Sequence, residues 1–148
     1  MEEQNNTLDR FILAQDKVYE RVKNELANAY KVTHWMWYIF PQIQGLGISE
    51  ISDFYAIKSV KEAEAYMKHP VLGVRLLECC SILLGLQENN AKRIFGYVDS
   101  MKLKSSMTLF LKVSENCYFQ QVLDKFFNGE KDDKTMEILY NQTKKQVK

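Results

Sequence analysis

The chain has 148 residues, 46% of them hydrophobic, which is enough for one ordinary domain with a real core and short for two. Lysine plus arginine total 20 and aspartate plus glutamate total 19, which argues against the net basic surface of a general nucleic-acid binder. Eight tyrosines, eight phenylalanines and two tryptophans exclude a disordered chain.

Helix signals dominate from the start. Leu8, Phe11, Ile12, Val18, Tyr19, Val22 and Leu26 fall at helical steps and predict one long amphipathic helix, with Asn6 or Thr7 as its N-cap. Pro41 ends or redirects any helix through His34 to Phe40, and "QGLG" reads as a turn with flexible points at Gly45 and Gly47. Ser49 suits the cap of a short helix through Phe54 and Ile57. Ser59 and Glu62 stand at capping-box spacing, and the helix they open should stop near His69. Pro70 then suits the first turn of a helix carrying Val71, Leu72, Val74, Leu76, Leu77, Ile82, Leu83 and Leu84. That helix is apolar on more than one face and is predicted to be the central buried one, closed by Gly85 or "ENN". Asp99 is a predicted cap for a helix through Leu103, Met107, Leu109 and Phe110. Asn116 opens another, with Gly129 as its stop, and Asp132 or Asp133 opens the last. Residues 1–6 and 144–148 are expected to fray. The sum is an all-α fold: a single compact domain, residues 1–148, of about seven or eight short helices. The proline and glycine punctuation is too frequent for a regular four-helix bundle.

Cys79, Cys80 and Cys117 form no CxxC pair, so free thiols are expected and a zinc ribbon is not. "MEEQNNTLDR" has no signal-peptide character, and the most apolar runs, "WMWYIF" and "SILLGL", are too short to span a bilayer. A cytoplasmic protein without membrane contact is expected. No cofactor and no metal site is read: HExxH, GxSxG and GxGxxG are all absent, and two distant histidines make a poor ligand set.

Chemistry concentrates in "HWMWYIFPQIQGLG" and "DSMKLKSSMTLF". His34 is the candidate acid-base group, since imidazole changes charge near neutral pH; a hydrogen-bonded structural histidine is the competing reading. Trp35 and Trp37 stand two apart, so they cannot share a helix face; one can serve the core and the other a cleft. Gln42 can read the donor and acceptor edges of a ligand, or lie in a simple exposed loop. Lys104, Ser105 and Ser106, with Lys102 and Thr108, can hold an anion or form a solvated face with hydroxyls bonding backbone. Arg75, on a mostly apolar helix, needs a partner: a ligand anion, or Glu78 at i+3 as an ordinary ion pair.

"LDRFILAQ", "HWMWYIFPQIQGLG", "YAIKS", "AEAYMKHPVLGVRLLE", "IFGYVD" and "MKLKSSMTLF" together resemble a bacterial family, the domain of unknown function 1810 family, often mislabelled "calpastatin". The resemblance covers roughly residues 8 to 127 and implies an all-helical single domain and no established activity. Three functions compete. The first is a binding site for a nucleotide or other phosphate-bearing small molecule, built from Trp35, Trp37, Gln42, Lys104, Ser105, Ser106 and Arg75, with His34 acting if there is turnover. The second is a non-catalytic interaction or homodimerisation module. The third is a set of motifs that only fixes the helical topology.

Overall fold

In the computed structural model, which describes residues 2–147 and the side chains of residues 8–144, the first apolar stripe forms two helices rather than one. α1 spans Glu2–Asp16 and α2 spans Tyr19–Ala27, with a turn at Lys17–Val18 where the Val18 amide donates to the Gln15 carbonyl at 3.0 Å. Leu8, Phe11, Val22 and Leu26 are all in the core nevertheless. An apolar stripe reports which face is buried, not whether the helix is continuous. α1 begins before Asn6 and Thr7, so neither caps it.

Short helices follow where capping chemistry places them. α3 (Met36–Ile39) stops one residue before Phe40–Pro41. α4 (Glu50–Tyr55) opens on Ser49, whose hydroxyl accepts from the Ser52 amide at 3.1 Å. α5 (Val60–Lys68) opens on Ser59, which accepts from the Glu62 amide at 3.1 Å, while the Glu62 carboxylate reaches back to the Lys58 amide at 2.8 Å. α6 (Leu72–Leu84) is opened by His69, whose Nδ1 accepts from the amides of Val71 at 3.1 Å and Leu72 at 3.3 Å. The His69 side chain thus serves the helix after it, while its amide closes α5 on the carbonyls of Ala65 at 3.0 Å and Tyr66 at 3.3 Å. α7 (Ala91–Phe95) is joined to α8 (Tyr97–Val113) by Gly96, at φ +82°, a left-handed conformation that few side chains tolerate. α8 therefore starts two residues before Asp99, its predicted cap. α9 (Tyr118–Phe127) follows Asn116, whose Oδ1 accepts from the Tyr118 amide at 2.9 Å. α10 (Asp133–Val147) opens on Asp132, whose Oδ2 accepts from the Thr135 amide at 2.9 Å. Backbone 2–6 and 144–147, where fraying is expected, belongs to α1 and α10, while residues 1 and 148 lie outside the described residues.

The fold is all-α, with ten helices and no strand among the described residues. The broken first helix and the brief α3 and α7 raise the number above the expected seven or eight. An isolated parallel bridge between Ile43 and Ile57 ties the segment after Pro41 to the end of α4. No described helix is long and apolar enough to cross a membrane.

The central helix is α8, not α6. Every residue from Ser105 to Phe110 is buried, and α8 packs on α5, α7, α9 and α10. α6 keeps a solvent face, with Val74 61% exposed. Phe110 stands at the centre of the aromatic core, 5.3 Å from the Tyr66 ring and 5.9 Å from Phe119. Buried Gln15 links three elements: its amide donates to the Tyr38 carbonyl at 2.8 Å and the Tyr66 hydroxyl at 3.1 Å, and its oxygen accepts from Arg75 at 3.3 Å. Lys125 donates to the carbonyls of Leu83 at 3.0 Å, Leu84 at 3.1 Å and Leu86, closing the C-terminal end of α6. The cysteines are free, as expected; burial pushes the Cys79 thiol up to about 12, so it stays protonated at neutral pH.

Ser106 gives a first prediction. Its hydroxyl is fully buried and has no hydrogen-bond partner among the described residues. A buried polar group without a partner costs about 1–3 kcal/mol, so Ser106→Ala should stabilise the fold, by about 1 kcal/mol once the lost volume is allowed for. A urea midpoint that falls instead would show that the hydroxyl is satisfied.

Candidate functional site

A cleft of about 280 Å³ opens where the two motif blocks meet. Gln42, Leu46 and Gly47 come from the loop after Pro41 and Ser52 from α4; Met101, Lys102 and Ser105 come from α8, and Asp132 and Lys134 from the start of α10. A smaller pocket of about 20 Å³ adjoins it, lined in part by Trp37, Gly45, Asp53 and Tyr55, and shares Gln42, Gly47 and Ser52 with the cleft. Main-chain bonds hold the loop: the Gln44 amide donates to the Ile57 carbonyl at 2.8 Å, and the Ile57 amide to the Gln42 carbonyl at 2.8 Å. Gly47 lies so close to α4 that an added Cβ would sit 2.5 Å from the Ser52 Cβ.

Lys102 of the cleft lining belongs to a ladder of charges and rings whose other charged members, Lys31 and Asp99, lie behind the lining residues. Asp99 takes Lys31 on one oxygen at 2.9 Å and Lys102 on the other at 3.3 Å. Lys31 lies 5.2 Å from the Trp35 ring and Lys102 4.7 Å from the Trp37 ring. The side chains of Lys31, Lys102 and Asp99 are only 6%, 19% and 20% exposed. Two ammonium groups thus share one carboxylate in a place where water screens them poorly. Lys134, exposed at the rim, has no ion-pair partner among the described residues and adds to the positive charge. Asp132, the acidic residue of the lining, is already engaged by the amide and hydroxyl of Thr135, at 2.9 and 2.6 Å.

Hydrogen-bond accounting decides which hydroxyls are free. The single Thr135 proton goes to Asp132, so in the 2.8 Å contact between Ser105 and Thr135 it is Ser105 that donates. Ser105 lines the cleft with its proton committed. Ser52 is the opposite case: its Oγ accepts from Ser49 at 2.8 Å, and its own proton has no described partner. The Gln42 carboxamide makes no hydrogen bond among the described residues.

Of the residues the sequence singles out, Trp37, Gln42, Lys102 and Ser105 come together on the cleft and its adjoining pocket. The others lie elsewhere. His34 is exposed on the segment before α3 and lines neither. Trp35 is buried, and its indole N–H donates to Glu25 at 2.8 Å. Lys104 pairs with Glu130 at 3.6 Å. Ser106 is in the core. Arg75 bonds Asp16 at 2.9 Å and stacks 4.8 Å from Tyr19, while Glu78, its expected partner, goes to the Tyr19 hydroxyl and to Lys23 at 3.8 Å. Sequence reasoning missed Ser52, Asp99 as a shared counter-ion, and Lys134. One signal was available: on a helix, Lys102 and Ser105 at i and i+3 share a face, and Lys104 is nearly opposite Lys102.

The chain belongs to the family described as "Protein of unknown function (DUF1810)", whose pattern matches residues 5–139. The resemblance carried by the motif blocks is thereby borne out, and it extends past Phe127 into α10. Among solved structures, the conserved hypothetical protein Rv1873 from Mycobacterium tuberculosis is similar, with 42% identity and a TM-score of 0.88; the match covers 90% of this chain and 96% of that one. No curated protein matches.

Proposed function

We propose that this protein is a small-molecule-binding domain whose cleft between the Gln42–Gly47 loop and α8 takes a phosphate-bearing ligand. One observation carries the reading: Lys102 and Lys31 share a single carboxylate, Asp99, so the cleft wall holds a poorly screened positive charge that a ligand anion would neutralise. Lys134, the free proton of Ser52 and the unpartnered Gln42 amide supply further donors around the same space. Ligand pockets usually run to about 300–1,000 Å³, so a cleft of about 280 Å³ suits a small ligand. The anion seat lies on Lys102 and Lys134 rather than on Lys104, Ser105 and Ser106. The reading is one of binding, because His34 lies off the cleft.

Thermal-shift titration tests it, with inorganic phosphate, ribose 5-phosphate and nucleoside phosphates as probes. At a hundredfold excess over Kd a ligand stabilises the native state by about 2.7 kcal/mol, which is a shift of several degrees for a chain of this size. The shift should vanish in Lys102→Gln and weaken in Lys134→Ala, yet persist in Lys104→Ala. No shift with any probe, or a loss in Lys104→Ala equal to that in Lys134→Ala, rejects the reading.

A second reading has one observation in its favour. α4 buries none of its residues, and Ile51 and Phe54 with neighbouring Ile48 are exposed, as a face for a protein partner or a second copy would be. Sedimentation velocity across a concentration series separates the readings, since self-association would appear there without ligand.

A further inference from the structure

We propose that Lys102 leaves the face of Trp37 when the cleft takes a nucleoside monophosphate, and that the uncovered indole stacks on the base. The inference rests on the anion reading above and adds the class of ligand. As the site stands, the Lys102 ammonium covers Trp37 at 4.7 Å, so one face of the ring is closed to a flat ligand. The same ammonium is 3.3 Å from Asp99 and lines the cleft wall. A ligand phosphate in the cleft competes for it directly.

Three features make the exchange feasible. Asp99 does not lose its last partner when Lys102 moves, because Lys31 stays on its other oxygen at 2.9 Å. Lysine is a point charge on a flexible four-carbon stem, so its ammonium can turn toward the cleft without moving α8. Lys102 gives up a contact with a ring and one of the two ion pairs on Asp99, whereas a phosphate offers its ammonium several charged acceptors.

The two tryptophans explain why only one is a stacking surface. Each carries a lysine from the same ladder. Trp35 is buried under Lys31 with its N–H fixed on Glu25, so uncovering it would open the core. Trp37 is half-buried and lines the pocket that shares Gln42, Gly47 and Ser52 with the cleft. A phosphate near Lys102 and Lys134 therefore has Gln42 on the path to the Trp37 ring. The carboxamide, without a partner, can bond the sugar or the edge of the base.

Calorimetric titration of the native protein with ribose 5-phosphate, adenosine and AMP tests the proposal, with tryptophan emission read in parallel. AMP should bind on the order of tenfold more tightly than ribose 5-phosphate, the increment typical of one stacked base, and should change the emission where ribose 5-phosphate changes it less. Trp37→Leu should remove the increment and leave ribose 5-phosphate binding in place, and Trp37→Phe should keep part of it. Equal affinities of AMP and ribose 5-phosphate in the native protein overturn the stacking proposal and leave the anion reading standing; so does an increment that survives Trp37→Leu. Tight binding of adenosine with no gain from its phosphate overturns the exchange at Lys102. Failure of both phosphate compounds to bind overturns the anion reading and this proposal with it. The native comparison needs no variant, so a poorly folding Trp37→Leu does not remove the test.

Discussion

Glu25→Ala should lower the stability of the fold by about 3 kcal/mol at neutral pH, because it strips four donors of one buried acceptor. Glu25 is 8% exposed, and its carboxylate accepts from the Val32 amide at 2.8 Å, the Thr33 amide at 3.1 Å, the Thr33 hydroxyl at 2.7 Å and the Trp35 indole at 2.8 Å. It is the pin that fastens the segment before α3 to α2. Burial pushes this carboxyl up, but the bonds from Thr33, Val32 and Trp35 outweigh burial and hold it at about 2, against an ordinary 4.5. A carboxyl lowered in the fold contributes stability that is complete above its unfolded value. That contribution, on the order of 3 kcal/mol, is lost as the pH falls from about 4.5 toward about 2. Glu25→Gln is the sharper variant. Its carbonyl oxygen can keep the three N–H donors that meet Oε1, and its NH2 can donate to the Thr33 hydroxyl, so the variant keeps the bonds but loses the charge that strengthens them. It should be less stable than the native protein at pH 7, by less than Glu25→Ala, and should lose this part of the acid dependence. Urea unfolding at neutral pH and at steps down to pH 2.5 checks both. A Glu25→Gln protein as stable as the native one at pH 7 would overturn the account.

That pin also shows where the sequence stops being legible. Local chemistry could be read well. Ser49, Ser59, Asn116 and Asp132 each cap the helix expected of them, because a cap needs only its own side chain and a backbone amide two or three residues on. Chain-distant pairings could not. The hydroxyls of α8 look like a surface face, and Ser105 and Thr108 are buried because Thr135 and the Asp132 amide, 30 and 24 residues away, meet them. For that reason α8 is the central helix, and α6, whose sequence is the more densely apolar, is not. The break after Asp16 was hidden in the same way, since the core-facing stripe continues across it.

The candidate site divides along the same line. Composition pointed to two blocks that both contribute to the cleft, and one tryptophan of the pair belongs to the core while the other borders the adjoining pocket. Which was which depended on Glu25, ten residues from Trp35 and on another helix. The sequence groups Lys104, Ser105 and Ser106 as an anion seat because hydroxyls and ammonium groups near a helix start can hold one. In a helix adjacency scatters side chains around the axis, so the three residues have three different fates: an ion pair, a hydrogen bond within the cleft wall, and burial. Lys134 was invisible, since nothing in its own neighbourhood shows that the start of α10 closes the cleft.

Gly73→Ala should destabilise the protein by about 2–3 kcal/mol, against the gain of up to about 1 kcal/mol that helix propensity alone would give. The two effects have opposite signs, so geometry decides. Gly73 is the second residue of α6, and its amide donates to the His69 carbonyl at 3.1 Å. The tight corner at His69–Pro70 brings it against the last turn of α5. A Cβ on Gly73 would sit 2.2 Å from the Met67 carbonyl oxygen and 3.0 Å from its carbon. Those are backbone atoms of α5, and they cannot swing aside as a side chain would. Relief requires either unwinding the end of α5 or tilting α6, which packs on α2, α5 and α9. Gly85 is the internal control. It closes the same helix at φ −82°, and an added Cβ meets nothing nearer than 3.6 Å. Gly85→Ala should therefore be neutral or stabilising by up to about 1 kcal/mol, largely through the unfolded chain. Urea midpoints of the two variants should move in opposite directions. A Gly73→Ala protein that gains stability would mean that the α5–α6 corner is looser than its backbone contact indicates, and that propensity rather than packing sets the glycine there.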